Sequence, residues 1–341
     1  MNKRHINIPV FIPHLGCPNQ CVFCNQRTIS GVDEFDASQL DRIISESLST
    51  IDLSCSDIEI AFFGGSFTGI DFSLMCELLS TAYEYVEKGY VSSIRLSTRP
   101  DYIDEKILST LKKYGVKTIE LGLQSTSDGV LQSCKRGHTA QDAERACRLI
   151  REYGFELVGQ MMIGLPNSTL SDEMKTAEFI LRNGANGARI YPTVVLQQTE
   201  LKDMCICGSY TPLTLEDAIM RSKEVAKLFI KNNIDIIRIG LCASENLLSE
   251  DTYFAGPNHS ALGELVYGEL YYDFILEKLK SSKGHDTKNR KLNIEAPLNA
   301  KSKVIGQKRK NIIRLQELYG FSSVNIEENE SLSAYEIKIH F

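Results

Sequence analysis

The sequence predicts an α/β fold: a partial (β/α)6 barrel followed by a small C-terminal α/β unit. Three observations carry this. Short apolar runs alternate with amphipathic stretches at spacings of about 30 residues, the signature of successive βα units and a parallel sheet. Six or seven such units are too few to close an eight-stranded barrel, so one side stays open. The residues with chemical potential fall just after the apolar runs, at the C-terminal strand ends where such sheets collect their chemistry.

In chain order, residues 8–12 read as a strand, and the loop after it carries Cys17, Cys21 and Cys24. Residues 36–51 form a helix with Leu40, Ile43, Ile44, Leu48 and Ile51 on one stripe. Residues 58–63 are a buried strand ending at Gly64-Gly65-Ser66, and 72–87 are helical. Strand 93–97 ends at Thr98-Arg99, and a helix follows to Tyr114. Strand 118–123 ends at Gln124, and helix 139–153 follows. Strand 157–163 ends at Gly164-Leu165-Pro166, and helix 171–183 follows. Strand 187–195, helix 215–232 and strand 234–241 complete the series. Three units result: a barrel over 1–245, a closing helical segment over 246–280, and a small basic α/β domain over 281–341.

The cysteine loop has the spacing C-x3-C-x2-C, with Phe23 just before the last thiol. Three thiolates are the informative number. A closed zinc site and a simple electron-transfer [4Fe–4S] cluster each want four ligands. Three leave one iron of a cubane open to a small molecule. His14 keeps a zinc site of one histidine and three cysteines as an alternative. The other seven cysteines lack cluster spacing, Cys205 and Cys207 being the one close pair, and read as core or surface thiols.

The chain has 341 residues, 43% of them hydrophobic and 24% charged, an ordinary globular composition able to bury a core without disulfides. No run of about 18 apolar residues occurs, so no membrane span is expected. Ten cysteines and no recognisable export signal point to a reducing cytoplasm. The net charge of −6 is uneven: residues 278–310 hold 11 Lys/Arg against 2 acids, and the remainder carries −15. A basic segment on an acidic body is either a solvated linker or a surface for a polyanion.

The cysteine loop resembles that of the radical S-adenosylmethionine (SAM) superfamily, in which SAM chelates the open iron. Reductive cleavage then yields methionine and a 5′-deoxyadenosyl radical. The resemblance implies a [4Fe-4S] cluster on Cys17, Cys21 and Cys24, and an external electron donor such as flavodoxin or ferredoxin. It places Gly64, Gly65 and Ser66 at the methionine amino group, with Ser66 where many members carry an acid. Gln124 and Arg136 match the coproporphyrinogen oxidase branch, which implies contacts to the SAM ribose and carboxylate. Ser97 stands where that branch has a glutamate, which leaves the contact with Ser97 or passes it to Glu120. Gly164 would lie under the adenine.

Over residues 5–241 the chain is also similar to the radical SAM domain of the Elongator catalytic subunit, which modifies wobble uridines of tRNA. The shared words are Gly-Gly-Ser-Phe-Thr (64–68), Thr-Arg-Pro-Asp (98–101), Ile-Glu-Leu-Gly-Leu-Gln-Ser (119–125), Arg-Gly-His-Thr (136–139), Gly-Leu-Pro (164–166) and Arg-Ile-Tyr-Pro-Thr-Val-Val (189–195). His138 and Tyr191 fall within these words and become candidates to face the substrate. Residues 242–341 show no glycine-rich pyrophosphate loop, so acetyl-CoA chemistry is not expected here. RNA, and tRNA in particular, is the substrate this likeness implies. Two other readings stay open: a small-molecule or peptide substrate, and a non-catalytic iron–sulfur RNA-binding protein.

Residues 255–279 read as a loop and an amphipathic helix that closes the barrel's open side. The run Val304–Leu315 resembles the core of a KH domain, where a G-x-x-G turn between two helices clamps a nucleic-acid backbone. Gly306, Lys308, Arg309 and Lys310 are the candidate RNA contacts. Arg309 stands in place of the second glycine.

Overall fold

The computed structural model describes residues 4–12, 16–17, 21–25, 35–241, 249, 251–281 and 288–341. His14, Cys242 and most of the expected 281–289 linker lie outside these residues. The main sheet has seven parallel strands in sequential order. They are β1 (Arg4–Phe11), β2 (Ser56–Phe63), β3 (Ser93–Thr98), β4 (Val116–Gln124), β5 (Glu156–Ile163), β6 (Gly187–Pro192) and β8 (Asp235–Ile239). Between β6 and β8 comes β7 (Val195–Leu196), which pairs antiparallel with β9 (Tyr253–Ala255). Strictly sequential parallel neighbours curl the sheet into the expected half barrel, with helices outside.

The helices begin where the sequence provides caps. Thr139 and Thr169 each form a reciprocal capping box, with Asp142 and Asp172 respectively. Asp71, Asp104 and Thr214 cap the helices Phe72–Glu87, Glu105–Lys113 and Leu215–Lys231. Apolar strand residues such as Ile60, Ile94, Ile119 and Ile190 face the helices and are fully buried.

The barrel's inner face is polar, which short apolar runs do not announce. Glu59, Arg95, Glu120 and Arg189 occupy inward positions on β2, β3, β4 and β6 and are all nearly inaccessible. They alternate in charge across the barrel. Arg95 bridges Glu59 and Glu120 at 2.7 and 3.0 Å, and Arg189 meets Glu120 at 2.7 Å. Buried charges persist only when paired in this way.

The helix Leu262–Ser281 does two jobs. Leu262, Val266 and Leu270 join the barrel core. Tyr271, Tyr272, Ile275 and Leu279 join a second core made with the C-terminal unit. That unit is a three-stranded sheet ordered β11 (Ser323–Glu328), β10 (Lys291–Ala296), β12 (Lys338–His340), with β10 parallel to β11 and antiparallel to β12. Helices Lys301–Ile305 and Lys310–Tyr319 connect β10 to β11.

Candidate active site

The barrel mouth is assembled from strand ends pressed together at glycines. Gly16, just before the first cysteine, has φ +75°, and a Cβ there would lie 2.3 Å from the Ser66 carbonyl oxygen. Gly64 has φ +98°, and a Cβ there would sit 3.0 Å from the Ile12 backbone nitrogen. Only glycine meets both demands of handedness and space. The cysteine loop is thereby seated against the Gly64–Gly65–Ser66 turn. The sequence signal for Gly16 is a glycine abutting the first cysteine of the loop, and its demand for a left-handed backbone is set by the packing against Ser66 and Gly69.

No described cysteine is disulfide-bonded. Cys17 and Cys24 are half-buried and Cys21 is buried. The Cys24 N–H donates to the Cys21 carbonyl at 3.0 Å. Burial pushes the Cys17 thiol up, against the pull of the Arg136 and Arg99 guanidiniums. Arg136 Nη1 lies 3.5 Å from Cys21 Sγ, and its Nη2 donates to the Gly122 carbonyl at 2.8 Å. Phe23 packs on an apolar cluster that includes Val22, Val130 and Leu165. Among the described residues no three His, Cys, Asp or Glu side chains converge on one metal ion. Three thiolates that each hold a different iron of a cubane need not converge in that way.

Several buried polar atoms around these thiols have no partner: Arg99 Nη1, Gln124 Oε1 and Arg136 Nε. Gln124 adopts φ +65° at a register shift between β4 and β5. A left-handed glutamine with an unanswered buried carbonyl is strain of the kind stored at functional sites. His138 is 3% exposed, and burial, helped by Arg136, lowers its pKa to about 4. It is a neutral imidazole at ordinary pH. The orphaned donors and acceptors fit a charged, polar ligand beside the cysteines, so the residues present suit a cluster with SAM upon it.

Other candidates are placed differently from the simplest expectation. The Ser66 hydroxyl is fully buried and bonds Thr98 Oγ1 at 3.0 Å, so it faces inward, not toward a ligand. Glu120 accepts from Arg95 Nη1 at 3.0 Å, Gln160 Nε2 at 2.8 Å and Arg189 Nη2 at 2.9 Å, with Arg189 Nε 2.7 Å from its other oxygen. Its lone pairs are spent inside the barrel, and none is left for a ribose hydroxyl. Ser97 accepts from Gln160 at 3.2 Å and is half-buried at the same mouth. Gly164 has φ +76°; its N–H donates to Glu173 at 2.7 Å and its carbonyl accepts from Tyr210 at 2.7 Å. Both of its backbone polar groups are thus engaged within the chain. Tyr191 is half-buried on β6 and hydrogen-bonds Arg189.

The turn at Gly306 to Lys310 lies in the C-terminal unit, between the helices Lys301–Ile305 and Lys310–Tyr319. Gly306 has φ +74°, and Lys308 and Arg309 are both left-handed, at φ 52° and 62°. The conformation that glycine would favour is thus kept by an arginine. Lys308 and Arg309 are exposed and pair with no carboxylate among the described residues. Lys310 differs: its Nζ pairs with Glu269 at 2.8 Å, beside Arg314 on the same carboxylate.

Comparison with known proteins agrees with this arrangement. Residues 11–180 match the radical SAM superfamily and 185–272 the radical SAM C-terminal domain. The chain is 28% identical over 242 residues to a tRNA uridine(34) acetyltransferase of Methanocaldococcus jannaschii, covering 65% of this chain and 44% of that protein. It is 32% identical over 148 residues to mouse Elongator complex protein 3, covering 41% and 27%. The chain therefore spans less than half the length of these relatives. A solved Elongator protein 3 from Methanocaldococcus infernus shares the fold, with TM-score 0.61 at 21% identity over 85% of this chain and 66% of that one. Coproporphyrinogen III oxidase from Escherichia coli, described as a radical SAM enzyme, gives TM-score 0.50 at 14% identity over 78% and 59%. Three cysteines on the loop after β1, a glycine turn pressed against them and unanswered polar atoms around them sit on a sequential half barrel matched over most of its length, and on those grounds the chain belongs to the radical SAM superfamily, whose members bind a [4Fe-4S] cluster and SAM.

Proposed function

We propose that this enzyme modifies tRNA. The likeness to tRNA uridine(34) acetyltransferase over 242 residues is the observation that carries the reading. When bound, cluster and SAM supply a carbon-centred radical through one-electron reductive cleavage of a carbon–sulfur bond. The chain's own residues do the rest. Cys17, Cys21 and Cys24 would hold the cluster. Gly64 and Gly65 bring backbone close to the methionine moiety. Arg136 and Gln124 present buried polar atoms to the carboxylate and ribose, and Gly164 presents a flat backbone to the adenine. Tyr191 and His138 are the candidates to face the substrate, His138 as a buried neutral imidazole beside Arg136 and Arg99. A donor of the flavodoxin or ferredoxin class delivers the electron.

The C-terminal turn supports an RNA substrate. Lys308 and Arg309 hold two exposed cations in a fixed turn on a domain whose core is shared with the helix Leu262–Ser281. A nucleic-acid backbone is the polyanion such a turn would grip. Acetyl transfer is not part of the proposal, because the alignment takes in only 44% of the acetyltransferase relative.

The test is a nucleoside mass-spectrometric profile of tRNA and rRNA from cells with and without the gene. A nucleoside lost in the deletion and restored by wild type, but not by Cys21→Ala, establishes RNA as the substrate. An unchanged profile with the protein expressed moves the substrate to a small molecule or peptide.

A further inference from the structure

Arg99 is the bulkiest fully buried side chain among the described residues. It follows β3 directly and ties together the segments that flank the cysteine loop. Its backbone N–H donates to Ser66 Oγ at 3.3 Å, in the turn after β2. Its Nη2 donates to the Arg136 carbonyl at 2.6 Å, in the segment between the helices Asp128–Ser133 and Ala140–Glu152 that follow β4. Its Nε and Nη2 fork onto Asp101 at 2.9 and 2.8 Å. Burial alone would raise the Asp101 carboxyl, but this fork outweighs it and holds Asp101 low.

That inventory uses Nε and Nη2 and leaves Nη1 buried without a partner. An N–H donor shut away from water and unanswered is costly, so it persists where an acceptor arrives from outside the polypeptide. Cys17 and Cys21 both lie within the electrostatic reach of this guanidinium. Arg136, whose backbone Arg99 holds, has its own Nη1 3.5 Å from Cys21 Sγ.

We propose that Arg99 is a positioning residue for the iron–sulfur cluster, its Nη1–H reserved for an anionic sulfur of the bound cluster or its thiolates. This rests on the superfamily assignment above. A donor directed at cluster sulfur favours the more negative, reduced state, so Arg99 raises the reduction potential and eases electron entry. Asp101 offsets the charge of the guanidinium but not the directional N–H.

The experiment uses the full chain, reconstituted anaerobically with iron and sulfide. Arg99→Lys keeps the charge and the Asp101 pair but loses the third donor arm. Should it fail to fold, the double variant Arg99→Gln/Asp101→Asn leaves no buried charge unpaired. Iron content, the midpoint potential from an EPR-monitored dithionite titration, and SAM affinity by calorimetry are measured for each. The expected result is a more negative midpoint potential at wild-type iron content, with SAM affinity within about twofold of wild type. Loss of iron from a folded variant also supports the assignment. An unchanged potential at full iron content overturns it. So does an unchanged potential with SAM affinity weakened tenfold, which would give Nη1 to the SAM carboxylate. A wild-type protein that takes up no cluster would instead sink the radical SAM reading itself.

Discussion

Arg136 and Cys21 are 115 positions apart, yet Arg136 Nη1 stands 3.5 Å from the Cys21 sulfur. The contact joins the segment between the helices Asp128–Ser133 and Ala140–Glu152 to the loop after β1. It sets one guanidinium against a candidate cluster ligand. The same side chain is anchored from behind by the Gly122 carbonyl, so its aim is set by backbone and not by the ligand.

Replacing Cys21 with Ala should abolish the cluster. The variant should purify folded, because Cys21 fills little of the core, but reconstitute with no visible charge-transfer absorption and cleave no SAM. Iron content and absorbance check this. Full iron content would mean that a different set of ligands holds the metal.

Glu120→Gln should destabilise the fold by about 3–5 kcal/mol, since it strips the counter-charge from Arg189 in the barrel interior and leaves Arg95 with Glu59 alone. SAM affinity of the folded fraction should stay near wild type. Urea denaturation and calorimetry together decide. A large loss of SAM affinity with unchanged stability would return Glu120 to the ribose.

Gly164→Ala should cost about 1–3 kcal/mol, because φ +76° is poorly tolerated by a residue with a Cβ. The new methyl would also meet Leu213 Cδ1 at 2.6 Å. SAM binding should weaken together with the melting temperature, as both depend on the same backbone surface.

His138 predicts a pH dependence. Its folded pKa of about 4 lies below the unfolded value of about 6.5. Between those values the unfolded chain binds a proton that the folded chain refuses. Stability should therefore fall as pH drops from about 6.5 to about 4, by on the order of 3 kcal/mol from this group, and change little from it on either side. Arg136, Arg99 and Asp101 face the imidazole and set the rest of the local field. His138→Gln should flatten this slope in urea titrations of the apoprotein across that range. An equally steep slope in the variant would assign it to other groups.

In the C-terminal turn, Arg309→Gly removes a cation while supplying the residue that φ 62° favours. It should leave the melting temperature equal or higher and still weaken tRNA binding. Lys308→Ala together with Arg309→Gly should lower the slope of log affinity against log salt by about 2. Lys310→Ala should act mainly on stability, because Lys310 is engaged with Glu269. Unaltered affinity and salt slope in the double variant would leave this domain a packing appendage.

The sequence alone determined the order and type of the main barrel elements, because helix caps, apolar runs and glycine punctuation are local signals, but it ran β6 and β7 together as one strand over 187–195 and passed over the short helices Asp128–Ser133 and Glu200–Ile206. The periods of Thr139 to Tyr153 and of Leu157 to Ile163 are legible without neighbours, and the structure bears them out within a residue or two. Cysteine spacing likewise pointed to the cluster chemistry. Tertiary structure decided what each polar side chain does. Glu120 reads as a ligand candidate in a linear word but is spent on Arg95, Arg189 and Gln160 from three other strands. Arg99 reads as one letter of a motif but bridges three loops. Lys310 reads as one of three equivalent cations until Glu269, 41 residues away, is seen to take it. A side chain's role is fixed by which groups compete for its hydrogen bonds, and those competitors come from distant strands that no local pattern brings together.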